Sequence, residues 1–379
     1  MSGSVDEAVT SKRVAFLFLG ETLLIPHLFP IVEALARLKP GLPIDLWVST
    51  SVHEALLIKW TIGLPGVRVR RAYGFRTIAG GEDGRNPDLP SKLPMLLALA
   101  PFLARTAVTV CAEQTSLWLP RLLPWLPTRF VKTSHGVGSM SARDDRRRKA
   151  AFHTLVPSEQ ERQTYLMRGI LPERIIATGY VKAAFQQRTP VSALFAEERP
   201  IVLFTPHWQA YRSSWPKWGS VVTEMLIEQT RFNVIFAPHQ RLVERAPELR
   251  SIFAKVAHHP HVHVDLDSFS MVDGSYTTAA DIYLGDTSSQ LMEYLMRPRP
   301  AVFLDPTGRR WQDNPAFAMW RAGEVITRLD DVLPALERSL VRHDEYVGVQ
   351  QHIAEAALGE TSGKGATRAA EEIIRVLAM

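Results

Sequence analysis

The stretch "DIYLGDTSSQLMEYL", Asp281–Leu295, decides the fold class because a buried strand passes directly into a helix within it. The apolar "IYL" near its start is typical of a buried strand, and the apolar spacing in "LMEYL" predicts a helix. An aspartate and three consecutive hydroxyl residues separate the two: Asp286, Thr287, Ser288 and Ser289. A strand that leads into a helix in this way is the repeating unit of a parallel α/β sheet.

The same alternation of strands and helices extends over most of the chain. One series runs from "VAFLFL" at 14–19 to "RIIATGY" at 174–180, with a pause in a Leu- and Pro-rich block of helical spacing at 87–127. A second series runs from "IVLFTP" at 201–206 onward, after a polar linker. We therefore expect an α/β protein with two doubly wound, Rossmann-like domains that face a central cleft. The predicted domains are residues 1–188 and 189–365, with a helix at 366–379 that packs back on the first domain.

Composition limits the class of partner. The 379 residues are ample for two domains, and 46% apolar with 22% charged residues is ordinary globular composition. A net charge of +5 suits an anionic substrate or membrane surface, but without clustered charge it does not indicate nucleic-acid binding. The single cysteine, Cys111, allows no intramolecular disulfide and fits a reducing compartment. We expect a cytoplasmic protein without a spanning helix, since no run reaches ~20 apolar residues.

Ligands of open parallel sheets bind at the carboxyl ends of the strands, so the residues that follow each strand are the candidate site residues. Thr287, Ser288 and Ser289 begin a predicted helix, where backbone N–H groups are unpaired and the helix dipole is positive. This combination favours a phosphate site. Ordinary N-capping explains one of the three hydroxyls equally well.

Histidines follow three other predicted strands. His135 is flanked by Gly136, which permits close backbone approach, and an imidazole is the usual general base near neutral pH. His239 lies behind Pro238 after a strong strand, and His207 follows Thr205 in "LFTPHW". These side chains suit phosphate binding or stacking on a base. The structural alternatives are a surface histidine and ordinary loops.

Two short patterns suggest metals but are common by chance. Asp265 and Asp267 form a D-x-D pattern, and "HHPHVH" at 258–263 carries four histidines. Loop and strand surfaces explain both patterns better, so we expect no metal and no resident cofactor.

The order of "SHG", "LFTPHW", "APHQ" and "ADIYLGDTSSQLMEYLMRPRPAVFLD" resembles the CDP-glycerol glycerophosphotransferases, the teichoic-acid polymerase and primase group. The resemblance runs from about residue 130 to the C-terminus and is most specific in the last of these motifs. Differences from the family pattern include "GYVK" at 179–182 in place of Gly-Tyr/Asn-Pro-Arg and "DTSS" in place of "DYSS". The resemblance implies a GT-B fold and a bacterial enzyme of cell-envelope biosynthesis.

The resemblance also implies roles for the site residues. His135 is expected to be the catalytic histidine of the first domain, and His239 a second histidine near the transferred phosphate. The expected diphosphate-binding residues are Thr287, Ser288 and Ser289, with Asp286 and Glu293 nearby and with Thr205, His207 and Gly136 contributing. The donor is expected to be a CDP-linked polyol phosphate, and the acceptor a hydroxyl on a lipid or glycan.

The first ~125 residues are similar only to the first half of a GT-B protein. Their "FLGETLLIPHLFPIVEALA" is similar to the first loop and helix of GT-B enzymes and of nucleotide-sugar 2-epimerases, which makes Glu21 and His27 candidates on the acceptor side. The block at 91–110 predicts a buried helix pair. Alternatively, with Lys92, Arg105, Arg121 and Arg129 beside it, it predicts peripheral docking on the inner face of an anionic membrane.

Three other functions fit the same residues. A GT-B glycosyltransferase with a nucleotide-sugar donor would share the diphosphate site but release a nucleoside diphosphate. A nucleotide-sugar 2-epimerase would need several carboxylates, of which only Glu21 is evident. A catalytically inactive binding protein is the third alternative.

Overall fold

The computed structural model describes residues 12–78, 88–137 and 145–379. The chain divides into two compact units. Unit 1 consists of residues 1–187 and 356–379, and unit 2 of residues 188–355. Unit 2 is thus inserted into the sequence of unit 1, before the last helix of the chain.

Unit 1 is built on a seven-stranded parallel sheet with the strand order β3-β2-β1-β4-β5-β6-β7. The strands are β1 (Val14–Phe18), β2 (Ile44–Thr50), β3 (Val67–Arg76), β4 (Val108–Cys111), β5 (Arg129–Thr133), β6 (His153–Val156) and β7 (Ile175–Ala177). The helices are α1 (Ile25–Leu38), α2 (Ser51–Trp60), α3 (Lys92–Leu103), α4 (Trp118–Leu122), α5 (Asp145–Arg148) and α6 (Glu159–Met167). The chain adds strands outward from β1 in one direction and then in the other, which is the doubly wound arrangement.

Unit 2 repeats this topology in a six-stranded parallel sheet with the order β10-β9-β8-β11-β12-β13. The strands are β8 (Ile201–Thr205), β9 (Asn233–Phe236), β10 (Val262–Val264), β11 (Ile282–Gly285), β12 (Ala301–Leu304) and β13 (Glu324–Ile326). The helices are α7 (Trp215–Glu228), α8 (Gln240–Arg245), α9 (Glu248–Ala254), α10 (Ser270–Asp273), α11 (Ser275–Ala279), α12 (Ser289–Tyr294) and α13 (Val332–Val341). Two parallel α/β sheets confirm the predicted fold class.

The core of unit 2 follows from the period of its strands. Alternate residues of the central strands point to the same face and pack against α7 and α13. They include Phe204, Phe236 and Leu284, which are fully buried in one apolar cluster with Trp215 and Leu336. Burial of one such side chain stabilises the fold by about 1.5–3 kcal/mol.

The last two helices are α14 (Val347–Leu358) and α15 (Lys364–Ala378). The C-terminal helix α15 packs on α1 and on the 3-10 turn Val181–Ala184. The backbone approaches closely at its start: a Cβ on Gly365 would come within 2.9 Å of the carbonyl carbon of Gly179. Arg129 donates a hydrogen bond from Nη1 to the Val376 carbonyl at 2.7 Å, near the other end of the helix.

The Leu- and Pro-rich block at 87–127, for which we predicted helical spacing, contains a central strand of the unit 1 sheet. β4 lies in it and pairs with both β1 and β5. With four residues, β4 is too short for its period to stand out from the flanking Leu- and Pro-rich sequence. The prediction of a buried helix pair at 91–110 is therefore wrong: α3 is the only helix there, and it leads into β4.

Candidate functional site

In unit 2, the loop after β8 is anchored by a buried aspartate. Asp286 is fully buried, and its Oδ2 accepts a hydrogen bond from the His207 backbone N–H at 2.9 Å, while Oδ1 accepts one from the Ser214 N–H at 3.0 Å. Burial raises the pKa of Asp286 to about 7, and the two backbone hydrogen bonds oppose this rise. The carboxyl group thus holds the loop that carries His207, and its predicted place near a diphosphate stays a prediction.

A second anchor comes from the residues after β12, which the sequence analysis missed. Asp305 is fully buried and accepts a hydrogen bond from Arg309 Nε at 3.1 Å. Arg309 in turn donates from Nη1 to the Tyr211 carbonyl at 2.8 Å. The loop that carries His207 is therefore held near both ends by Asp286 and in its middle by Arg309.

Two imidazole rings lie next to each other at the carboxyl ends of β8 and β9. The rings of His207 and His239 lie 5.8 Å apart at an angle of 68°. His207 Nδ1 accepts from the Gln209 N–H at 3.1 Å, and His239 Nδ1 accepts from the Arg241 N–H at 3.2 Å. A neutral ring that accepts at Nδ1 carries its hydrogen on Nε2.

Both imidazoles are neutral at physiological pH. Burial, with a smaller effect of Arg212, lowers the pKa of His207 to about 4. Burial lowers the pKa of His239 to about 3, with smaller effects of His207 and Arg241. Each ring therefore offers an Nε2–H donor, which suits the oxygens of a phosphate.

Trp208 adds an aromatic surface beside the two histidines. Its indole stacks on His207 with ring centroids 5.8 Å apart and an interplanar angle of 28°. The guanidinium groups of Arg241 and Arg245 lie 5.3 and 4.5 Å from its ring. Neutral donors, an aromatic ring and exposed arginines together form a surface that fits a nucleotide.

The three consecutive hydroxyls have three different environments. Ser288 is the N-cap of α12, and its Oγ accepts from the Gln290 N–H at 3.2 Å. Ser289 is exposed. Thr287 is 4% exposed, and its Oγ1 has no hydrogen-bond partner among the described residues. An unpaired buried hydroxyl costs about 1–3 kcal/mol, so Thr287 is the member of the set that gains most from a ligand or water.

Two further predicted site residues lie nearby. Thr205, at the end of β8, donates a hydrogen bond from Oγ1 to Gln290 Oε1 at 2.6 Å. Glu293 is buried on α12. The predicted site residues of unit 2 thus lie at the carboxyl ends of the strands of one sheet. They are Thr205, His207, His239 and the segment 286–293.

The low pKa of His239 predicts a pH-dependent stability. Between pH 6.5 and about 3 the unfolded chain binds a proton at this histidine and the folded chain does not, so the unfolding free energy falls as the pH falls. His239→Asn keeps an acceptor for the Arg241 N–H and does not titrate. We expect the stability of this variant relative to wild type to rise by up to about 1.4 kcal/mol per pH unit below pH 6.5.

Urea unfolding at pH 7.5, 6.0, 5.0 and 4.5 measures the effect. His258→Asn, at an exposed histidine, is the matched control and should follow the wild-type profile. Parallel profiles for wild type and His239→Asn would contradict the prediction.

In unit 1, His135 follows β5 and is held in the opposite tautomer. Its Nδ1 lies 2.8 Å from the Ala112 carbonyl oxygen, which can only accept, so Nδ1 carries the hydrogen. The Nε2 atom of the neutral ring then has a lone pair. His135 is exposed, and Gly136 beside it has φ of +89°, a conformation that favours glycine. This geometry is suited to a general base.

The two acceptor-side candidates lie at the start of the same unit. His27, in the first turn of α1, is 4% exposed, and its ring contacts Tyr180 edge to face at 5.8 Å. Burial, together with Lys182, His135 and Lys132, lowers its pKa well below the ordinary value. Glu21 is half-buried. Sequence reasoning missed Glu113, which follows β4 and pairs with Lys92. Its carboxylate lies against Gly20, where an added Cβ would have to displace it.

The two patterns that suggested metals have structural partners. Asp267 forms a bidentate ion pair with Arg250, and Asp265 accepts from Tyr276 Oη at 2.6 Å. His261 Nε2 contacts the Ile227 carbonyl, and His263 Nε2 contacts Tyr276. Within residues 12–78, 88–137 and 145–379, no group of three or more His, Cys, Asp or Glu side chains could hold a metal ion.

Comparison with solved structures finds similar folds over nearly the whole chain. A UDP-N-acetylglucosamine 2-epimerase has a TM-score of 0.62 at 14% identity, covering 96% of this chain and 95% of that one. The Neisseria meningitidis UDP-GlcNAc 2-epimerase bound to UDP-GlcNAc has a TM-score of 0.62 at 13% identity, covering 96% and 99%. The wall teichoic acid polymerase TagF has a TM-score of 0.59 at 13% identity, covering 98% and 89%.

No protein-family model matches the chain, and no curated protein sequence matches it. The structural similarities show that both units follow the GT-B pattern, as the sequence resemblance implied. At identities of 13–14% they show the fold alone.

Proposed function

We propose that the protein is a transferase that moves a polyol phosphate, similar to glycerol phosphate, from a CDP-activated donor to an acceptor hydroxyl and releases CMP. The observation that supports this most is what each Nδ1 atom contacts: a carbonyl oxygen in His135, and backbone N–H groups in His207 and His239. His135 offers a lone pair at Nε2, while His207 and His239 offer Nε2–H groups. Transfer of a phosphoryl group requires a general base for the acceptor hydroxyl and hydrogen-bond donors for the phosphate oxygens.

The proposed reaction is balanced without a metal or a redox partner. The acceptor O–H bond breaks and its proton passes to His135 Nε2, while a bond forms between the acceptor oxygen and the phosphorus that bears the polyol. The bond from this phosphorus to the CMP oxygen breaks, and its electron pair leaves with CMP. His207, His239 and the Thr287 hydroxyl stabilise the charge on the phosphates by hydrogen bonds.

CDP as the donor nucleotide rests on the sequence resemblance. What unit 2 contributes is a surface of the right chemistry: the Trp208 ring for a base, and imidazole and guanidinium donors for phosphates. The TagF fold similarity is consistent with this choice of donor.

A nucleotide-sugar enzyme is the second candidate function. It is favoured by the similarity in fold to UDP-GlcNAc 2-epimerases and by two carboxylates, Glu21 and Glu113, that follow strands β1 and β4. Glu113 forms an ion pair with Lys92.

The released nucleotide distinguishes the two functions. We expect incubation with CDP-glycerol, in the presence of a membrane lipid extract as the source of acceptor, to release CMP. UDP- and GDP-sugars should release no nucleotide. Release of a nucleoside diphosphate from a sugar donor would establish glycosyl transfer, and conversion of UDP-GlcNAc to its 2-epimer without release would establish epimerisation. Either result would overturn the proposed function.

The acceptor is proposed to lie at an anionic membrane surface, because α3 and the segment after α4 expose apolar side chains. Leu97, Phe102 and Trp125 are 44%, 55% and 74% exposed, and Arg105 and Arg121 beside them are exposed as well. The other two cations predicted here are used elsewhere: Lys92 pairs with Glu113, and Arg129 binds the Val376 carbonyl. No helix of the described residues is long and apolar enough to span a bilayer.

We expect the protein to float with vesicles that contain anionic lipid. The combined change Leu97→Ser, Phe102→Ser and Trp125→Ser should lower the bound fraction at least tenfold, because interfacial binding scales with buried apolar area. Ile62→Ser removes an 80% exposed apolar side chain elsewhere in unit 1 and is the matched control. Equal flotation of the triple variant and wild type would exclude this surface.

A further inference from the structure

The order of strands in unit 1 reverses between β1 and β4. From β1 the chain adds β2 and β3 on one side, and it then pairs β4 with the other side of β1. Loops that follow two such strands diverge to opposite faces of the sheet, and the crevice between them is where ligands of open parallel sheets bind. Gly20 and Glu113 lie two residues beyond the ends of β1 and β4, and the proposed reaction uses neither of them.

The Glu113 carboxylate is packed against the backbone of Gly20. A Cβ built on Gly20 falls 1.2 Å from Glu113 Oε1, so the carboxylate occupies the space that a side chain at position 20 would fill. This oxygen is buried and has no hydrogen-bond partner among the described residues. Unpaired buried acceptors are rare in folded proteins, and a functional role is one reason for which they are retained.

The other carboxylate oxygen is shared by two donors. Lys92, the first residue of α3, forms an ion pair with Glu113 Oε2, and Thr115 Oγ1 donates to the same oxygen at 2.9 Å. Oε1 thus lies against the backbone, while Oε2 lies beside the ammonium and the hydroxyl group. The orientation of the carboxylate is therefore defined on both of its sides.

Gly20 is held in place from the side of β2. His53, 1% exposed in the first turn of α2, lies with Nδ1 2.7 Å from Thr50 Oγ1. Burial lowers the pKa of His53 to about 4, and a hydrogen bond to the Gly20 backbone opposes this fall. The imidazole is therefore neutral at physiological pH, and it connects Gly20 to the end of β2.

The ion pair is accessible to a ligand and carries no net charge. The side chains of Lys92 and Glu113 are 21% and 13% exposed, and Thr115 beside them is exposed. A phosphate would have to separate Lys92 from Glu113, so the pair disfavours an anion. A carboxylate that accepts beside an ammonium that donates matches two adjacent hydroxyls, one of which donates to Glu113 while the other accepts from Lys92.

We propose that unit 1 contains a polyol subsite at the carboxyl ends of β1 and β4, in which Glu113 and Lys92 bind two adjacent hydroxyls of a neutral sugar or alditol. Under the proposed function, this polyol is part of the acceptor, and that step rests on the proposed function. The subsite itself rests on the exposed ion pair, on the packing of Glu113 against Gly20 and on the reversal of strand order.

Saturation-transfer NMR in the absence of a donor measures binding, with ribitol as the probe. We expect wild type to bind ribitol, which has adjacent hydroxyls, at least tenfold more tightly than 1,4-butanediol, whose hydroxyls are separated. An excess of inorganic phosphate should not displace ribitol. Absence of ribitol binding, equal binding of the two alcohols or displacement by phosphate would each overturn the proposal.

The double variant Lys92→Met/Glu113→Met separates a binding role from a structural one. Replacing both partners of a polar contact by apolar chains of similar length is nearly neutral for stability. We therefore expect this variant to unfold at about the urea concentration of wild type and to bind ribitol at least tenfold more weakly. Arg162→Met/Glu159→Met, at an ion pair on α6, is the matched control and should bind ribitol as wild type does. Wild-type binding in the first variant would assign the Lys92–Glu113 pair a structural role and overturn the proposal.

Gly20→Ala tests the position of the carboxylate without removing a group that contacts the ligand. The added Cβ must displace Glu113, so ribitol should bind at least tenfold more weakly. Gly348→Ala is the control, because a Cβ there meets nothing within 4 Å. Unchanged ribitol binding in Gly20→Ala would show that the placement of Glu113 has no role in binding, against the proposal.

Release of CMP from CDP-glycerol tests the proposed function separately. With lipid extract as the acceptor, Lys92→Met/Glu113→Met should raise the acceptor KM at least tenfold and leave the affinity for CMP unchanged. Ribitol binding without CMP release would support the subsite and contradict the proposed function. CMP release without ribitol binding would support the proposed function and overturn the subsite.

Discussion

His135→Ala is expected to lower kcat for CMP release by about 10²–10⁴, the range for loss of a well-placed general base. The physical reason is the tautomer: with Nδ1–H directed at the Ala112 carbonyl, Nε2 is the atom that can take the acceptor proton. Initial rates of CMP release from CDP-glycerol measure the effect. The affinity for CMP itself should stay within twofold of wild type, because the base acts on the acceptor.

His135→Asn is the informative companion variant. Its side-chain amide can still donate to the Ala112 carbonyl, but it has no basic atom. It should therefore lose as much activity as His135→Ala while preserving the local structure. Near wild-type turnover in either variant would show that His135 is not the base.

Asp286→Ala is expected to have the largest effect on unit 2. It leaves the backbone N–H groups of His207 and Ser214 buried without an acceptor, and each such group costs about 1–3 kcal/mol. We therefore expect the unfolding free energy to fall by about 2–5 kcal/mol. CMP binding should be lost as well, because the loop that carries His207 and Trp208 loses its anchor.

Urea unfolding and calorimetric titration with CMP measure the two effects. Asp286→Asn retains one carbonyl acceptor and should lie between Asp286→Ala and wild type. Asp313→Ala, at an exposed aspartate of unit 2, is the matched control. If Asp286→Ala unfolds within about 0.5 kcal/mol of wild type, a range typical of surface substitutions, the buried anchor has no energetic role.

The fold could be predicted because apolar residues follow different patterns in its strands and in its helices. The apolar runs of β1, β8 and β11 and the helical spacing of α1 and α15 stand out in the sequence. β4 could not be predicted, because a central strand of four residues is defined by the strands beside it and not by its own pattern. β13, with three residues at the edge of the sheet, is a similar case.

The sequence predicted which positions form the candidate site, but it did not predict what each side chain contacts there. The rule that ligands bind at strand ends selected His135, His207, His239 and Thr287 correctly as residues of the sheet edges. It could not reveal that Asp286 holds a loop, because the partners of its carboxyl group lie more than 70 residues away.

The insertion of unit 2 before α15 has a consequence for synthesis of the protein. A ribosome releases all of unit 2 before it releases the helix that covers α1, so unit 2 can reach its native state first. Unit 1 stays incomplete, with the face of α1 that α15 covers still accessible, until α15 has been synthesised. Premature termination between residues 356 and 363 would then yield a chain with a complete unit 2 and a unit 1 that lacks α15.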